Sequence, residues 1–351
     1  MEQILHKTLI IRFSSVGDIV LSSLLIRGIR KRFPACQIDY LVKAEYADLI
    51  RHNPHISRVI EFPADGTFSD LSRIRHEIRH GGYDLVIDIH DSLRSRFLCF
   101  GRNHVVRLNK RKFARFMLVR TKLDLYQISG GSPSVALRYL EPLRPYGVVD
   151  DGNGLEIAIS PEASQAAGSR LAEAGLPSGT QLIGVCPSAR HATKIWPAER
   201  FGEAAGRLAP EHDAAVFLFG SADDREACEE VGRHVHAASP NTRVVNFAGI
   251  LSLAETAAII DHCALVLCND TGLMHIAAAR KRKVVAVFGS TVRQFGFFPF
   301  GTMAEVIENS ALRCRPCTHI GLPACPRGHF KCMNAIGVDA VLAASRRLLA
   351  A

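Results

Sequence analysis

The segment ALVLCNDTGLMHIAAA, residues 264–279, contains the pattern that decides the fold class of this chain. Ala264–Cys268 is a short apolar run typical of a buried strand, and a helical apolar pattern begins at Leu273. A polar turn with a glycine, NDTG at residues 269–272, separates the two. A strand, a tight turn and a helix in direct succession form a βα unit, which predicts a parallel α/β sheet.

The same pattern recurs along the whole chain. In the second half, strands are predicted at Leu182–Cys186, Ala215–Phe219, Arg243–Asn246, Ala264–Cys268 and Val284–Phe288. Helices are predicted there from Pro197, Asp223, Leu253 and Leu273. In the first half, strands are predicted at Thr8–Phe13, Gln37–Val42, Arg58–Phe62 and Asp84–Ile89, with one long helix after the first of them.

The composition of the sequence changes between residues 150 and 179. Turn residues are followed by LEIAI at 155–159, which predicts a strand, and by an Ala-rich helix at Pro161–Gly175. We therefore place a domain boundary near Leu176, giving domains at 1–175 and 176–351. The chain's 351 residues suit two α/β domains better than one core.

The composition is that of a globular protein, with 48% hydrophobic and 22% charged residues. Lys7, Arg12 and Asp18 interrupt the N-terminal apolar stretch, so neither a membrane span nor a secretory signal is predicted. We expect a cytoplasmic protein.

The net charge of +9 is concentrated in one segment. From Arg94 to Lys122 there are ten Lys and Arg residues and no Asp or Glu. Such a segment favours an anionic partner, although a charge run is also compatible with a solvated face. Nucleic acid is disfavoured, because aromatic residues do not alternate with the basic ones as a stacking surface requires.

The turn at residues 269–272 is suited to a phosphate or diphosphate. Backbone N–H groups and the positive end of the helix dipole meet at such a strand–helix junction. Thr271 adds a hydroxyl donor and Gly272 permits close approach, whereas Asp270 is suited to capping the helix or contacting a ribose. Capping alone remains an alternative for Asp270 and Thr271, and packing remains one for His275.

A second loop, PSARHATKIWP at residues 187–197, follows the first strand of the second half. Loops at the carboxyl ends of parallel strands are where open α/β sheets bind ligands. Lys194 is suited to a leaving diphosphate, with Ser188 and Thr193 as supporting donors. Trp196, the only tryptophan, is interpreted as packing.

The turn SSVGD, residues 14–18, precedes the first helix. Asp18 is either a helix cap or a general base, and the residues alone favour the cap.

Four of the ten cysteines lie close together near the end of the chain. Two interpretations remain open for them, a structural zinc site or reduced thiols in a compact loop, and only one CxxC pair is present. The other six cysteines are interpreted as small residues of the apolar core. The clustered four are Cys314, Cys317, Cys325 and Cys332.

Together, the SSVGD turn, the TKIWP loop, the NDTGLMHIAAA junction and the cysteine-rich tail closely resemble the ADP-heptose:lipopolysaccharide heptosyltransferases, nearest to the type that adds the second inner-core heptose. The resemblance implies a GT-B fold, in which two Rossmann-like domains face each other across a cleft. It implies an inverting, metal-independent transfer of heptose from ADP-heptose to the inner core of lipopolysaccharide, at the inner-membrane surface.

The resemblance also implies roles for individual residues. Asp18 matches the catalytic base and Lys194 the diphosphate-binding lysine. The donor-binding turn matches Asp270, Thr271, Gly272 and His275, with Asp224 near the ribose and Leu251 near the adenine on looser patterns.

The family often has small hydroxyl residues before the lysine, where this chain has Ala189, Arg190 and His191. The anionic acceptor would bind through Arg94, Arg96, Lys110, Arg111 and Lys112. No cofactor is implied beyond the donor substrate.

Two other hypotheses compete with this one. A GT-B sugar-nucleotide 2-epimerase or hydrolase shares the donor site but needs no lipid acceptor, which leaves the basic segment unexplained. A metal-bearing nucleic-acid binder uses the basic segment and the cysteines, but leaves both phosphate-binding βα turns unexplained.

Overall fold

The structure, a computed structural model, describes residues 4–126 and 134–351. These residues form two compact units, one comprising 4–110 and 134–158 and the other comprising 111–126 and 159–351. Each unit is built on its own parallel sheet.

The first unit contains a five-stranded parallel sheet in the order β3-β2-β1-β4-β5. Its strands are β1 Lys7–Ile11, β2 Gln37–Lys43, β3 Arg58–Phe62, β4 Leu85–Asp88 and β5 Val105–Arg107. Its helices are α1 Val16–Leu21, α2 Ser23–Arg32, α3 Phe68–His80, α4 Leu93–Leu98 and α6 Val135–Leu140. The strands are nearly continuous apolar runs, because a parallel sheet is covered on both faces.

The second unit contains a six-stranded parallel sheet in the order β11-β10-β9-β6-β7-β8. Its strands are β6 Gln181–Cys186, β7 Ala214–Leu218, β8 Val244–Asn246, β9 Leu265–Asn269, β10 Lys283–Phe288 and β11 Ala304–Glu308. Its helices are α5 Lys112–Thr121, α7 Pro161–Glu173, α8 Ala198–Leu208, α9 Arg225–Ala238, α10 Leu253–Ile260, α11 Gly272–Ala279, α12 Lys331–Asn334 and α13 Val338–Ala350.

Most of the predicted βα units are present within one or two residues of their predicted bounds, with three kinds of difference. The predicted first helix is two helices, α1 and α2, divided at Ser22, whose hydroxyl bonds the carbonyl of Ile19 and the hydroxyl of Tyr40. The strand predicted at residues 155–159 is absent from the described structure. The N–H of Glu156 donates to the Ser23 hydroxyl instead of to a neighbouring strand, and Leu155 and Ile157 are buried without joining a sheet. The short strands β5 and β11 lie where no strand was predicted.

The division into units also differs from the predicted boundary near Leu176. Helix α7 belongs to the second unit and packs against α10. Residues 111–126 also belong to the second unit, although the chain returns to the first unit at 134–158. The chain therefore crosses between the units more than once.

Each sheet lies within its own apolar core. In the second unit the fully buried Trp196 packs edge-on against Phe201, and its indole N–H donates to the carbonyl of Ile336, as its interpretation as packing predicted. Six cysteines predicted as core residues are buried and free, namely Cys36, Cys99, Cys186, Cys228, Cys263 and Cys268. In the part of the chain that the structure describes, no helix has the length and apolar character needed to span a bilayer.

Candidate functional site

The predicted base Asp18 lies in a buried polar cluster at the carboxyl end of β1. Its carboxylate is paired with Arg12, whose Nη2 lies 2.5 Å from Oδ2. The hydroxyl of Tyr139 donates to Oδ1 over 2.9 Å. The Ser15 hydroxyl donates to Oδ2 over 3.2 Å, and the Ser15 backbone N–H donates to the same oxygen over 3.5 Å, which is a capping contact. Asp18 therefore caps a helix and is also one member of a buried ion pair.

These contacts determine the ionisation of Asp18. Burial is the largest influence on its pKa and raises it, but the positive charge of Arg12 opposes burial, together with the hydrogen bonds from Tyr139, Arg12 and the Ser15 backbone. The net result is a pKa below the ordinary value for aspartate. At neutral pH the carboxylate is ionised and able to accept a proton.

A histidine lies beside this cluster, after the neighbouring strand β4. His90 packs edge-on against Phe13, with ring centroids 5.2 Å apart. Burial lowers the pKa of His90 to about 3, helped by the positive charges of Arg12 and Lys110. The ring is therefore neutral, and its Nδ1 is buried without a hydrogen-bond partner in the described structure.

In the second unit, the NDTG turn lies between β9 and α11. Helix α11 begins at Gly272, and its N-cap Thr271 makes no side-chain capping hydrogen bond. The helix start thus keeps N–H groups that the Thr271 side chain does not cap, as a phosphate site at this junction requires.

Asp270 does not cap the helix through its carboxylate but pairs with Lys194. The Lys194 Nζ lies 2.7 Å from Asp270 Oδ2, and the side chains are 15% and 7% exposed. The hydroxyl of Thr291 donates to the same oxygen over 2.7 Å. The pair joins the two loops that the sequence singled out, because β6 and β9 are neighbours in the sheet.

The loop that carries Lys194 is held by buried hydrogen bonds. The Thr193 hydroxyl donates to the carbonyl of Leu322 and accepts from the Ser290 hydroxyl and the Leu322 N–H. The donor-binding role predicted for the Thr193 side chain does not fit this geometry, because its hydroxyl is buried and already bonded to these groups. Thr193 instead positions the loop.

Two further side chains, Asn269 and Arg315, hold the same region. In the sequence, Asn269 belongs to the NDTG turn without an assigned role, and Arg315 carries no predicted role. The Asn269 amide accepts from the Trp196 N–H and donates to the carbonyl of Pro187, which ties the Lys194 loop to the end of β9. The buried guanidinium of Arg315 bonds the carbonyls of Gly289, Thr291 and Asn309 and the carboxylate of Glu308.

Ser188, the other predicted hydroxyl donor, lies at the start of the same loop. Its hydroxyl is buried and has no hydrogen-bond partner in the described structure. An unsatisfied buried hydroxyl costs about 1–3 kcal/mol. A ligand oxygen reaching this position would remove that cost.

The remaining predicted donor residues are dispersed around this edge of the sheet. Asp224 accepts from the Ser221 N–H and hydroxyl over 2.8 and 2.7 Å, a helix-capping arrangement that leaves its second oxygen without a capping role. Leu251 is half-buried in the turn before α10. His275 is buried on α11 and packs edge-on against Phe297, which agrees with the packing alternative. The ribose and adenine roles stay predictions.

The basic segment is divided between the two units. Arg94, Arg96 and Lys110 belong to the first unit, whereas Arg111 and Lys112 begin the part of the segment that belongs to the second. The whole segment was predicted to lie in the first domain. It is divided because α5 packs against the second unit.

Several cations of the segment bind groups within the protein. Arg96 pairs with Asp91 over 2.8 Å, and Lys110 donates to the carbonyls of His90 and Asp91. Arg102 donates to the carbonyls of Ile78 and Tyr83. These partners weaken the case that every residue of the segment meets an anion, and acceptor binding by the five predicted residues stays a prediction.

The four clustered cysteines are free thiols. Cys317 Sγ donates to the carbonyl of Cys314, and Cys314 Sγ lies 3.8 Å from Nε2 of His329. The pKa of Cys332 is raised to about 11, mainly by burial and to a smaller extent by the nearby cysteine side chains. Across residues 4–126 and 134–351, no three His, Cys, Asp or Glu side chains are grouped so that they could hold a metal ion. The structural zinc site stays a prediction.

The two polar clusters occupy equivalent places in their sheets. Asp18 and His90 follow β1 and β4, and Lys194 and Asp270 follow β6 and β9. In each sheet the two strands are neighbours and mark the point at which the strand order reverses. Open α/β sheets bind their ligands at the carboxyl ends of such strands.

Comparison with known proteins agrees with this architecture. The model of glycosyltransferase family 9 (heptosyltransferase) matches residues 71–325. The chain is 31% identical to lipooligosaccharide heptosyltransferase 2 of Haemophilus influenzae, over 88% of this chain and 90% of that protein. It is 29% identical to lipopolysaccharide heptosyltransferase 2 of Escherichia coli, over 82% and 84% of the two chains.

Solved structures show the same fold. The chain matches the E. coli ADP-heptose lps heptosyltransferase II structure with a TM-score of 0.70 and 26% identity over 98% of both chains. A glycosyl transferase family 9 structure from Veillonella parvula matches with a TM-score of 0.80 and 22% identity, over 100% and 99% of the two chains. The predicted α/β fold of the GT-B class, with two Rossmann-like units, is confirmed.

Proposed function

Because the chain belongs to glycosyltransferase family 9, the heptosyltransferases, we propose that it transfers heptose from ADP-heptose to the inner core of lipopolysaccharide, with inversion and without a metal ion. The relatives' names support the sugar and the acceptor. The observation that carries the mechanism is the buried Asp18 carboxylate, whose contacts with Arg12 and Tyr139 keep it ionised.

The first unit supplies the proton acceptor. In the proposed reaction an acceptor hydroxyl oxygen attacks the anomeric carbon, its proton passes to Asp18, and the bond from the anomeric carbon to the diphosphate breaks. Attack opposite to the leaving group inverts the configuration. Arg12 and Tyr139 are positioning residues, because they hold the carboxylate in place and ionised.

The second unit supplies the groups for the leaving diphosphate. The start of α11 offers backbone N–H donors, and Lys194 offers a positive charge that Asp270 fixes in position. Such donors stabilise the charge that develops on the departing ADP. The unpartnered hydroxyl of Ser188 is a further donor in the Lys194 loop.

The proposal is tested by measuring ADP release from ADP-heptose with a truncated inner-core acceptor. Asp18→Asn should reduce turnover by about 10²–10⁴-fold, the usual contribution of a general base. The affinity for ADP should be unchanged, because Asp18 belongs to the first unit, whereas the proposed diphosphate-binding groups belong to the second. Turnover close to that of the wild type would show that Asp18 only caps its helix.

Two arms separate the alternatives. Release of ADP without acceptor would indicate a hydrolase or epimerase, so strict dependence on the acceptor supports the transferase. A chelator should change neither the rate nor the donor affinity, and loss of rate restored by Mg²⁺ would contradict the metal-independent step. The anomeric configuration of the product, read by NMR, tests inversion.

The proposed acceptor is anionic and lipid-linked, so the enzyme would work at the cytoplasmic face of the inner membrane. The basic segment supports this location, because ten cations without an acid between them favour an anionic surface.

A further inference from the structure

Helix α5, Lys112–Thr121, carries an unusual surface for an exposed helix. Phe113 and Phe116 are 69% and 61% exposed, and Leu123, just after the helix, is 52% exposed. At 100° per residue, Phe113, Phe116 and Arg120 share one face. Solvent-facing helix surfaces are normally polar, and aromatic side chains left in water usually mark an interaction site.

The opposite face of α5 fixes the helix to the second unit. Leu118 is buried in a small cluster with Tyr126 and Phe295. The Lys122 ammonium donates to the carbonyls of Cys314 and Pro316 over 3.1 and 2.6 Å. The helix is therefore held in place by its opposite face, and the face with the phenylalanines is the one directed to solvent.

The charge around the exposed phenylalanines is entirely positive along the sequence. Lys112 and Arg120 are exposed on the helix, and no acid occurs between Arg94 and Lys122. The nearest acid after it, Asp124, accepts hydrogen bonds from the Tyr126 N–H and the Gln294 amide. Aromatic anchors among basic side chains fit the boundary between headgroups and acyl chains, where rings insert and long cations reach the phosphates.

We propose that the outward face of α5, formed by Phe113, Phe116 and Arg120, together with Leu123 just after the helix, binds the surface of an anionic phospholipid bilayer. This surface goes beyond the proposed transfer reaction and needs neither donor nor acceptor. Its one link to that function is that a lipid-linked acceptor lies in the same bilayer. A protein partner is less well matched, since it would have to be acidic and grooved, whereas a bilayer needs only negative charge and apolar depth.

The test is flotation of the full chain with vesicles of phosphatidylethanolamine and phosphatidylglycerol, in parallel with vesicles of phosphatidylcholine. The wild type should float with the anionic vesicles and much less with the neutral ones, and high salt should weaken binding. Replacing both Phe113 and Phe116 by Ser should weaken binding by about a hundredfold, since each buried phenylalanine contributes about tenfold. Arg120→Gln should weaken it about fivefold.

Two matched controls are available. Val149→Ser removes a side chain that is 67% exposed but precedes Asp150 and Asp151, so it should leave vesicle binding unchanged. Arg233→Gln removes an exposed cation of α9 and lowers the net charge as Arg120→Gln does, without touching α5. Equal losses from Arg120→Gln and Arg233→Gln would mean that net charge alone directs binding, and would overturn the proposal.

Further results of the vesicle and activity assays test the proposal that α5 binds a bilayer. The proposal fails if the wild type does not bind anionic vesicles, or if the double phenylalanine variant binds as the wild type does. Activity on a soluble, deacylated acceptor should be the same for the wild type and the double variant. A loss on that acceptor would place α5 in acceptor binding and would contradict bilayer docking. Absence of transfer by the wild type would instead count against the proposed function and leave the vesicle result valid.

Discussion

Replacing Arg12 by Gln should turn Asp18 from a permanently ionised carboxylate into a group that titrates within the working pH range. Burial raises the pKa of Asp18, and the charge of Arg12 is the largest influence that lowers it. Without the guanidinium, burial is opposed by the remaining hydrogen bonds from Tyr139 and Ser15. The pKa should therefore rise.

The size of the change follows from the contact distance. An opposite charge within about 4–6 Å lowers a carboxyl pKa by roughly 1–3 units. The Arg12–Asp18 contact of 2.5 Å between two largely buried side chains places this pair within that range. A rise of roughly 2 units corresponds to about 3 kcal/mol in the free energy of ionisation.

The assay is the pH profile of kcat/KM with ADP-heptose and a truncated acceptor. Only ionised Asp18 accepts a proton, so the rate of Arg12→Gln should fall at a pH roughly 2 units above the acid limb of the wild type. Arg12→Lys keeps a cation and should stay near the wild-type profile. If Arg12→Gln slows the reaction equally at every pH, Arg12 does not act through the proton affinity of Asp18.

The stability of the same variants gives an independent check. In the wild type the folded pKa lies below the unfolded value, so the ion pair stabilises the fold above the unfolded pKa, and this stability is lost as the pH falls through the folded pKa. In Arg12→Gln the buried carboxylate lacks its cation, which costs about 3–5 kcal/mol at neutral pH. Protonation relieves that cost, so the difference in Tm between variant and wild type should narrow from pH 7 to pH 5.

Three further predictions concern the other charged groups. Lys194→Ala should raise the donor KM and lower kcat, because the diphosphate loses its cation. Adding Asp270→Asn should restore stability but not activity, and recovery of activity would show that Lys194 only neutralises Asp270. Arg315→Met should lower the stability by about 3–5 kcal/mol in thermal unfolding, since four acceptors in buried or part-buried bonds lose their donor. Arg346→Met at an exposed ion pair should change Tm little. Arg94→Gln should raise the acceptor KM at low salt but not the donor KM, and an unchanged acceptor KM would remove Arg94 from the acceptor site.

The local pattern of the sequence was sufficient to predict the βα units and the loops after their strands. A buried parallel strand is a continuous apolar run, and the polar turn and helix that follow are equally recognisable, as at residues 264–279. The same signals placed Lys194, Asp270 and Asp18 in strand-end loops. The strand predicted at residues 155–159 failed, because a short apolar run indicates burial but does not supply a neighbouring strand to pair with.

Contacts between distant segments could not be predicted in this way. Tyr139 lies 121 residues from Asp18, and neither its type nor its spacing signals that its hydroxyl donates to that carboxylate. Arg315 likewise looked like one more cation in a cysteine-rich loop. The residues alone favoured Asp18 as a simple helix cap. The structure adds the contacts with Arg12 and Tyr139, which keep the carboxylate ionised and make it suitable as a proton acceptor.

The order of the strands explains why these particular loops meet. In the second unit the chain runs from β6 outward through β7 and β8, then returns to β9 on the other side of β6 and continues outward through β10 and β11. The loops after β6 and β9 therefore begin side by side at the ends of neighbouring strands. Lys194 and Asp270 are in contact for this reason, although 76 residues separate them in the sequence. In the first unit the chain runs from β1 through β2 and β3 and returns to β4, so the residues that follow β1 and β4 meet in the same way. Each unit thus concentrates its charged groups at one point of strand reversal, with a carboxylate held ionised in the first and a cation held by a carboxylate in the second. A reaction that needs a proton acceptor and a stabilised leaving diphosphate requires these two kinds of site.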